Sequence, residues 1–365
     1  MFKKKKNKRI VIAAGGTGGH LFPASSMKKA LENEGFEVYL ITDKRGQRFA
    51  KAFDKISVII GGGWSGESFF YRARSLVKLA IGFAQTFFHM LKIRPVAVIG
   101  VGGYISVPVL LWGKILGKKT FIHNADSILG NANILLSKFV DYTMISFEDT
   151  KKIPQKANVV FTGLPLRSDV RAIAGKPFVS PQESGKIIVV VMGGSQGAKI
   201  FSNVVPQAFA MFDKEIRKKL YIYEQVVEED VENIKAFYAK NGIKAEIKPF
   251  FDNPADLLGM ANLFIGRAGA STVLEVGTVG RPAVFIPIMH KDRQQFINAE
   301  QITKNGGGEI LPQPEFNPKN LYNIIEPMLK NPNLLEKMAK KAKIFRIDND
   351  ASVNIAKLVK RSLTK

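Results

Sequence analysis

The sequence contains no cysteine. Disulfide frameworks, thiolate zinc sites and cysteine nucleophiles are therefore excluded, and the absence fits a reducing compartment. Histidine is scarce, with four residues, and tryptophan scarcer, with two. Acid is in short supply: 31 Asp and Glu stand against 54 Lys and Arg, a net charge of +23. Such an excess asks for an anionic partner, whether nucleic acid, an anionic membrane face or phosphorylated molecules. No run reaches the ~18 uncharged apolar residues of a spanning helix. The N-terminal MFKKKKNKR is basic, but the IVIAA that follows falls short of the ~7–15 apolar residues of a secretory leader. A cytosolic chain open to peripheral membrane contact is expected. There is no P-loop and no H-E-x-x-H. The only D-x-D, Asp348-Asn349-Asp350, precedes the last helical segment and reads as a helix cap. No metal site is read.

What remains is globular: 46% hydrophobic, 23% charged, with 32 glycines. A chain of 365 residues is long enough for two domains at roughly 150 residues each. Strand-like and helix-like segments alternate, with glycine-rich turns after the strands. RIVIAA (Arg9 to Ala14), Val38 to Thr42, Val96 to Gly100, Thr120 to His123 and Tyr142 to Ile145 read as buried strands. The pattern restarts with a strand at Lys186–Met192, and later strands are read at Leu263–Gly266 and Ala283–Pro287. This predicts an α/β protein of two Rossmann-like, doubly wound domains. The expected organisation is a first domain over 1–163, a polar Pro- and Gly-containing linker over 164–185, a second domain over 186–347, and a final helix within 348–365 that packs back on the first domain.

Each expected domain opens with strand, glycine loop and helix. The first loop is Gly15-Gly16-Thr17-Gly18-Gly19-His20. Glycines there let a ligand approach the backbone and aim N–H groups at anionic oxygens. The spacing is not G-x-G-x-x-G, which argues against a dinucleotide site. Asp43, after the second strand, reads as a surface residue. His20 stands at a helix start, where the dipole favours the neutral imidazole and so a proton acceptor. The second loop is Gly193-Gly194-Ser195-Gln196-Gly197. A third cluster, Arg267 to Glu275, carries the small residues Ala270, Ser271 and Thr272 at a helix start, with Glu275 one turn inside, where a carboxylate suits ribose hydroxyls. A fourth, His290 to Gln295, offers the adjacent amides Gln294 and Gln295, which suit sugar hydroxyls.

Between Ser68 and Ala125 there is no acid and there are eight basic residues, from Arg72 to Lys119. Within it, Leu79–Leu91 carries no formal charge and is apolar on two helical faces. One face collects Leu76, Leu79, Phe83, Phe87 and Met90, the other Val77, Ala84, Phe88 and Leu91. Thirteen residues cannot span a bilayer, but basic flanks and aromatics suit its interface. Phe83, Phe87 and Leu91 are the expected membrane contacts.

The segments AGGTGGHLFPA, GVGGYISVPVL, GLPLRSDV, GGSQGAK, RAGASTVLEV and PIMHKDRQQFINA together resemble the MurG family, the N-acetylglucosaminyltransferases of peptidoglycan synthesis that convert lipid I to lipid II. The resemblance covers nearly the whole chain. It implies a GT-B architecture, two Rossmann-like domains facing across a cleft, with UDP-N-acetylglucosamine (UDP-GlcNAc) held mainly by the second. By matching position it implies that Thr17, Gly18 and Gly19 face the donor and the acceptor diphosphate. Arg167 and Ser195 would meet donor phosphates or nucleotide, and Phe251 would hold uracil largely through its backbone. Ala270, Ser271, Thr272, Val273, Leu274 and Glu275 would cradle phosphates and ribose; Gln294 and Gln295 would read the sugar. Gly15, Gly16, Gly102, Gly103 and Tyr104 would line the acceptor side, and Asp126 fits a donor-side position. Two departures stand out: Asn124 where the family has Glu, and Leu164 where it has Asn.

The resemblance implies an inverting transfer to the muramic 4-hydroxyl of lipid I, with His20 or Asp126 as base and no obligatory metal or cofactor. Expected partners are lipid I, the anionic inner leaflet and other cell-wall synthesis proteins, at the cytoplasmic face of the membrane, in the service of cell shape and division. Alternatives are a diacylglycerol-type lipid glycosyltransferase, a non-catalytic UDP-sugar sensor, or a basic nucleic-acid-binding protein. Against the last, charge coincides with apolar aromatics and no RNA-binding signature is present, so no nucleic-acid partner is expected.

Overall fold

The β-branched run Arg9–Ala13 forms β1, whose last four residues are wholly buried. A strand apolar on both faces belongs in the middle of a parallel sheet, and β1 lies there. The computed structural model describes residues 8–16, 18–61, 69–194, 199–289, 292–343 and 350–364, with backbone alone for 18, 49, 69–76 and 79. The chain divides into two units, Met1–Arg167 with Asp348–Lys365, and Ser168–Ile347.

In the first unit β1 is followed by α1 (Gly18–Asn33), β2 (Glu37–Thr42), β3 (Ile56–Val58), α2 (Phe69–Ile93), β4 (Ala97–Gly100), α3 (Ser106–Ile115), β5 (Lys119–Asn124), α4 (Asn131–Leu136), β6 (Tyr142–Ile145) and β7 (Val159–Phe161). The strands form one parallel sheet in the order β3-β2-β1-β4-β5-β6-β7. Strand order reverses between β1 and β4, and in open α/β sheets ligands bind beyond the strand C-termini at that point.

The second unit begins with α5 (Ser168–Ile173) and α6 (Pro181–Ser184), inside the segment whose composition reads as linker. It continues through β8 (Ile187–Met192), α7 (Lys199–Ala210), α8 (Lys214–Lys219), β9 (Leu220–Gln225), α9 (Val231–Lys240), β10 (Lys244–Lys248), α10 (Pro254–Met260), β11 (Leu263–Gly266), α11 (Ala270–Val279), β12 (Ala283–Phe285), α12 (Gln294–Thr303), β13 (Gly308–Ile310), α13 (Pro318–Lys330) and α14 (Pro332–Ala342). Its parallel sheet runs β10-β9-β8-β11-β12-β13, with the reversal between β8 and β11.

The last helix, α15 (Ala351–Ser362), is capped by Asp350, whose carboxylate accepts from Ser352 N at 2.9 Å. Its Ile355, Ala356 and Val359 join Leu21, Ala24 and Met27 of α1 over one face of the first sheet. The opposite face is covered by α2, α3 and α4 through Met90, Ile93, Val109, Leu110 and Leu136. Helix α2 comes close to the chain after β3: a Cβ on Gly82 would lie 2.3 Å from Ile60 O.

Charge is divided unevenly. The first unit carries 30 Lys and Arg against 12 Asp and Glu, a net of +18, and the second 24 against 19, a net of +5.

Candidate active site

In the first unit, the chain segments leaving β1, β2, β4 and β5 meet at the strand C-termini. Gly15 is buried under Ile105, where a Cβ would sit 2.7 Å from the Ile105 side chain. Gly16 takes φ +80°, and its N–H donates to Asp43 Oδ1 at 3.2 Å. These two glycines shape the loop, and the amides of Gly18 and Gly19 begin α1. Thr17 lies outside the described residues. His20 Nδ1 lies 2.9 Å from the Gly15 carbonyl. A carbonyl only accepts, so Nδ1 carries the hydrogen, and Nε2 is the nitrogen not engaged by that bond. Gly102 (φ +101°) closes on that ring; a Cβ there would lie 2.9 Å from His20 Nε2. Gly103 (φ +77°) packs on Gly15, and Tyr104 is exposed.

Asp43 is a correction to the surface reading. It is 7% exposed, and its Oδ1 accepts from both Gly16 N and Gly46 N, the latter at 2.7 Å. At the end of β5, His123 is fully buried, with Nε2 3.0 Å from Gly163 O. Burial holds its pKa down to about 4, so it stays neutral. Asn124 donates to Asp126 O and Ile128 O and accepts from Asn133 Nδ2 at 2.9 Å. An amide can both donate and accept, so Asn124 ties the 126–128 loop to α4 without a charge. Asp126 is half-buried in that loop, and Leu164 is buried.

In the second unit, Gly193 is buried and Gly194 takes φ +100° after β8; Ser195 lies outside the described residues. After β11, Gly269 precedes α11 and Ala270, Ser271 and Thr272 form its first turn. Val273 and Leu274 turn their side chains into the core, and Val273 N bonds to Gly269 O. Glu275 is half-buried one turn on. Arg267 donates to Ile286 O at 3.0 Å and lies over the Phe201 ring, and Asn298 donates to Ala268 O. Phe251 is buried, edge-on to Tyr223. With the ring turned in, the main chain is the part of Phe251 left to meet a ligand. Gln295 Oε1 accepts from Ile288 N at 3.0 Å, which fixes the orientation of the amide. Gln294 is half-buried at the start of α12, after Arg293 in the left-handed region (φ +55°). Arg167, which ends the first stretch of the first unit, is half-buried.

Residues 10–145 match the glycosyltransferase family 28 N-terminal domain, and residues 188–355 the family 28 C-terminal domain. The chain belongs to glycosyltransferase family 28. Within it, the chain is 37% identical over 341 residues to the UDP-N-acetylglucosamine–N-acetylmuramyl-(pentapeptide) pyrophosphoryl-undecaprenol N-acetylglucosamine transferase of Agrobacterium fabrum, covering 92% of this chain and 90% of that protein. The like-named protein of Nitrobacter winogradskyi is 36% identical, covering 96% and 97%. The crystal structure of Acinetobacter baumannii MurG superposes with a TM-score of 0.77 at 28% identity, over 97% of this chain and 99% of that one. The calicheamicin glycosyltransferase CalG4 shares the fold alone, with a TM-score of 0.71 at 12% identity. The GT-B fold class expected from the motifs is thus the fold of the chain.

The family 28 N-terminal unit also carries the apolar helix. The structure corrects which side of α2 faces out. Phe83 and Phe87 are half-buried against Trp112 of α3, with ring centroids 4.7 and 4.5 Å away, and Trp112 Nε1 donates to Phe83 O. The outward stripe is Val77 (59% exposed), Ile81 (41%), Ala84, Phe88 (69%) and Leu91 (45%). On the same side of the sheet, Ile115, Leu135 and Phe139 are exposed as well. Among the described residues no helix is long and apolar enough to cross a membrane.

Sequence reasoning passed over His123 and Asn298 and read Asp43 as a surface residue. His123 ends β5 and Asp43 directly follows β2, so a polar residue at a strand C-terminus was the available signal for these two, while Asn298 lies inside α12.

Proposed function

We propose that the chain is an inverting N-acetylglucosaminyltransferase that moves GlcNAc from UDP-GlcNAc to the muramic 4-hydroxyl of lipid I, forming lipid II. The observation that carries this is end-to-end similarity to transferases named for that reaction, over both family 28 domains. The acceptor oxygen bonds to the anomeric carbon as the carbon–phosphate-oxygen bond breaks. The hydroxyl proton passes to His20 Nε2, the nitrogen left open by the bond from Nδ1 to Gly15 O. Charge gathers on the departing UDP, where the first-turn amides of α11 and the Gly193-Gly194 loop supply fixed dipoles. Glu275 serves the ribose, and Gln294 with the Gln295 amide reads the sugar. In the first unit the amides that open α1 take the acceptor diphosphate.

We further propose that the enzyme works as a peripheral protein on the cytoplasmic face of the membrane, where its acceptor's prenyl chain is held. The stripe Val77–Leu91 supplies apolar contact. The +18 of the first unit supplies attraction to anionic lipid, worth roughly 1 kcal/mol for each cation that reaches the surface.

The test is transfer by the purified chain from labelled UDP-GlcNAc to a short-prenyl lipid I analogue, with a β-linked disaccharide product identified by mass spectrometry and NMR. Transfer to diacylglycerol and none to the analogue would replace this reading with a glycolipid synthase.

A further inference from the structure

Beside the glycine-rich loop stands a cation that the reaction as described does not use. After β2 the chain reads Asp43-Lys44-Arg45-Gly46, and Lys44, Arg45 and Arg48 are all exposed. The Arg45 side chain is 75% exposed, yet it does not point away from the loop. Its Nη2 lies 3.4 Å from Asp43 Oδ2, and Asp43 Oδ1 holds Gly16 N and Gly46 N. One buried carboxylate thus binds the loop that opens α1 and the guanidinium beside it. Gly16 turns its bare Cα face toward Arg45: a Cβ there would lie 3.8 Å from Nη2, the one described atom within 4 Å. Gly46 is needed for the same arrangement, since a Cβ there would fall 2.2 Å from Thr42 Oγ1.

A guanidinium has five N–H donors in a planar fork suited to phosphate oxygens. Asp43 takes one edge and aims the group, and the other donors face solvent at the mouth of the loop. The first turn of α1 contains no acid to oppose an anion there. We propose that Arg45 binds the diphosphate of the acceptor lipid, with Asp43 as the positioning residue that fixes it against Gly16. This rests on the reading of the glycine-rich loop as the acceptor site, and it adds the side chain that neutralises the dianion. Unlike a lysine on the surface, Arg45 is oriented before the ligand arrives, so less freedom is lost on binding.

The test compares wild type, Arg45→Ala, Arg45→Lys and Asp43→Asn on a short-prenyl lipid I analogue in detergent, with UDP release as the readout. Arg45→Ala should raise the acceptor KM on the order of tenfold, as loss of a charge-assisted hydrogen bond does. The donor KM and kcat at saturating acceptor should stay within about twofold, Lys should restore part of the loss, and Asp43→Asn should follow Arg45→Ala in direction. On an acceptor analogue with a single phosphate, the gap between wild type and Arg45→Ala should shrink. A raised donor KM with an unchanged acceptor KM would assign Arg45 to UDP and overturn the proposal. Weaker binding to phosphatidylglycerol vesicles with both KM values unchanged would make it a headgroup contact and overturn it as well. If wild type itself fails to glycosylate the analogue, the acceptor reading falls and the proposal with it. An active wild type with an indifferent Arg45→Ala, equally thermostable, removes Arg45 alone.

Discussion

His20 and Gly102 are fitted to each other: the ring nitrogen left free by the Gly15 carbonyl faces a glycine at φ +101° whose missing side chain would lie 2.9 Å away. Removing the imidazole by His20→Ala should lower kcat by roughly 10²–10⁴-fold with little change in donor KM. Gly102→Ala should lower kcat as well, by pushing the ring and straining a left-handed backbone. Steady-state kinetics on the soluble acceptor decides; near wild-type kcat in His20→Ala moves the base elsewhere.

Whether the outward stripe of α2 meets lipid can be read from paired variants. Phe88→Ser with Leu91→Ser should cut co-sedimentation with anionic vesicles by about tenfold or more, given ~1.5–3 kcal/mol for each buried apolar side chain. Activity on a soluble acceptor should survive. Phe83→Ser with Phe87→Ser should instead lower the melting temperature, because those rings enclose Trp112. Vesicle binding that ignores Phe88 and Leu91 would return the stripe to ordinary surface.

Glu275 tests the donor side. Replacing it with alanine should weaken UDP-GlcNAc binding by ~1.5–3 kcal/mol, the range for a hydrogen bond to a charged group. Calorimetric titration showing unchanged affinity would take Glu275 out of the site.

A pH dependence follows from Glu224 on β9. It is fully buried, accepts from Tyr238 Oη at 2.7 Å, and burial pushes its carboxyl up to about 8. Between the ordinary carboxyl range near 4.5 and pH 8 the unfolded chain releases this proton while the folded chain keeps it. Stability in this group's contribution therefore falls as pH rises through that window. Glu224→Gln should flatten the loss of melting temperature between about pH 5 and pH 8. An unchanged slope in the variant would mean that Glu224 is ionised in the fold.

Arg281 is 1% exposed and donates only to main-chain carbonyls: Leu258 and Gly259 of α10, Val279 and Gly280 at the end of α11, and Lys176 and Pro177 after α5. One guanidinium thus meets the negative ends of two helices, α10 and α11, and the loop after α5. Arg281→Met should cost on the order of 3 kcal/mol by leaving those carbonyls unpaired. A denaturant midpoint that changes by less than about 1 kcal/mol would mean water replaces it.

The glycine loops were legible because a buried run, a glycine cluster and an apolar-periodic segment follow one another in sequence, and that succession has few physical solutions. Strands β9 and β10 were harder. LYIYEQ and KAEIK carry ionisable residues, and in β9 the carboxyl of Glu224 is buried with its proton kept, bonded to Tyr238, 14 residues on. Asp43 looked like a turn residue because its neighbours are basic and polar. Its burial comes from Gly16 and Gly46, whose amides converge on it from opposite sides in sequence. On α2 the sequence showed two apolar faces. Which of them is covered was decided by Trp112, on another helix and so invisible to periodicity.

Helix α15 finishes the first unit's core although the whole second unit precedes it in the chain. During synthesis the second sheet can close first, while α1 waits with Leu21, Ala24 and Met27 uncovered until residues 351–362 leave the ribosome. The amino-terminal half is thus the later of the two to mature. A nascent chain halted near residue 347 would hold a complete second unit joined to an unsealed, strongly cationic first one. Quality control that senses bare apolar surface would find it there, on α1.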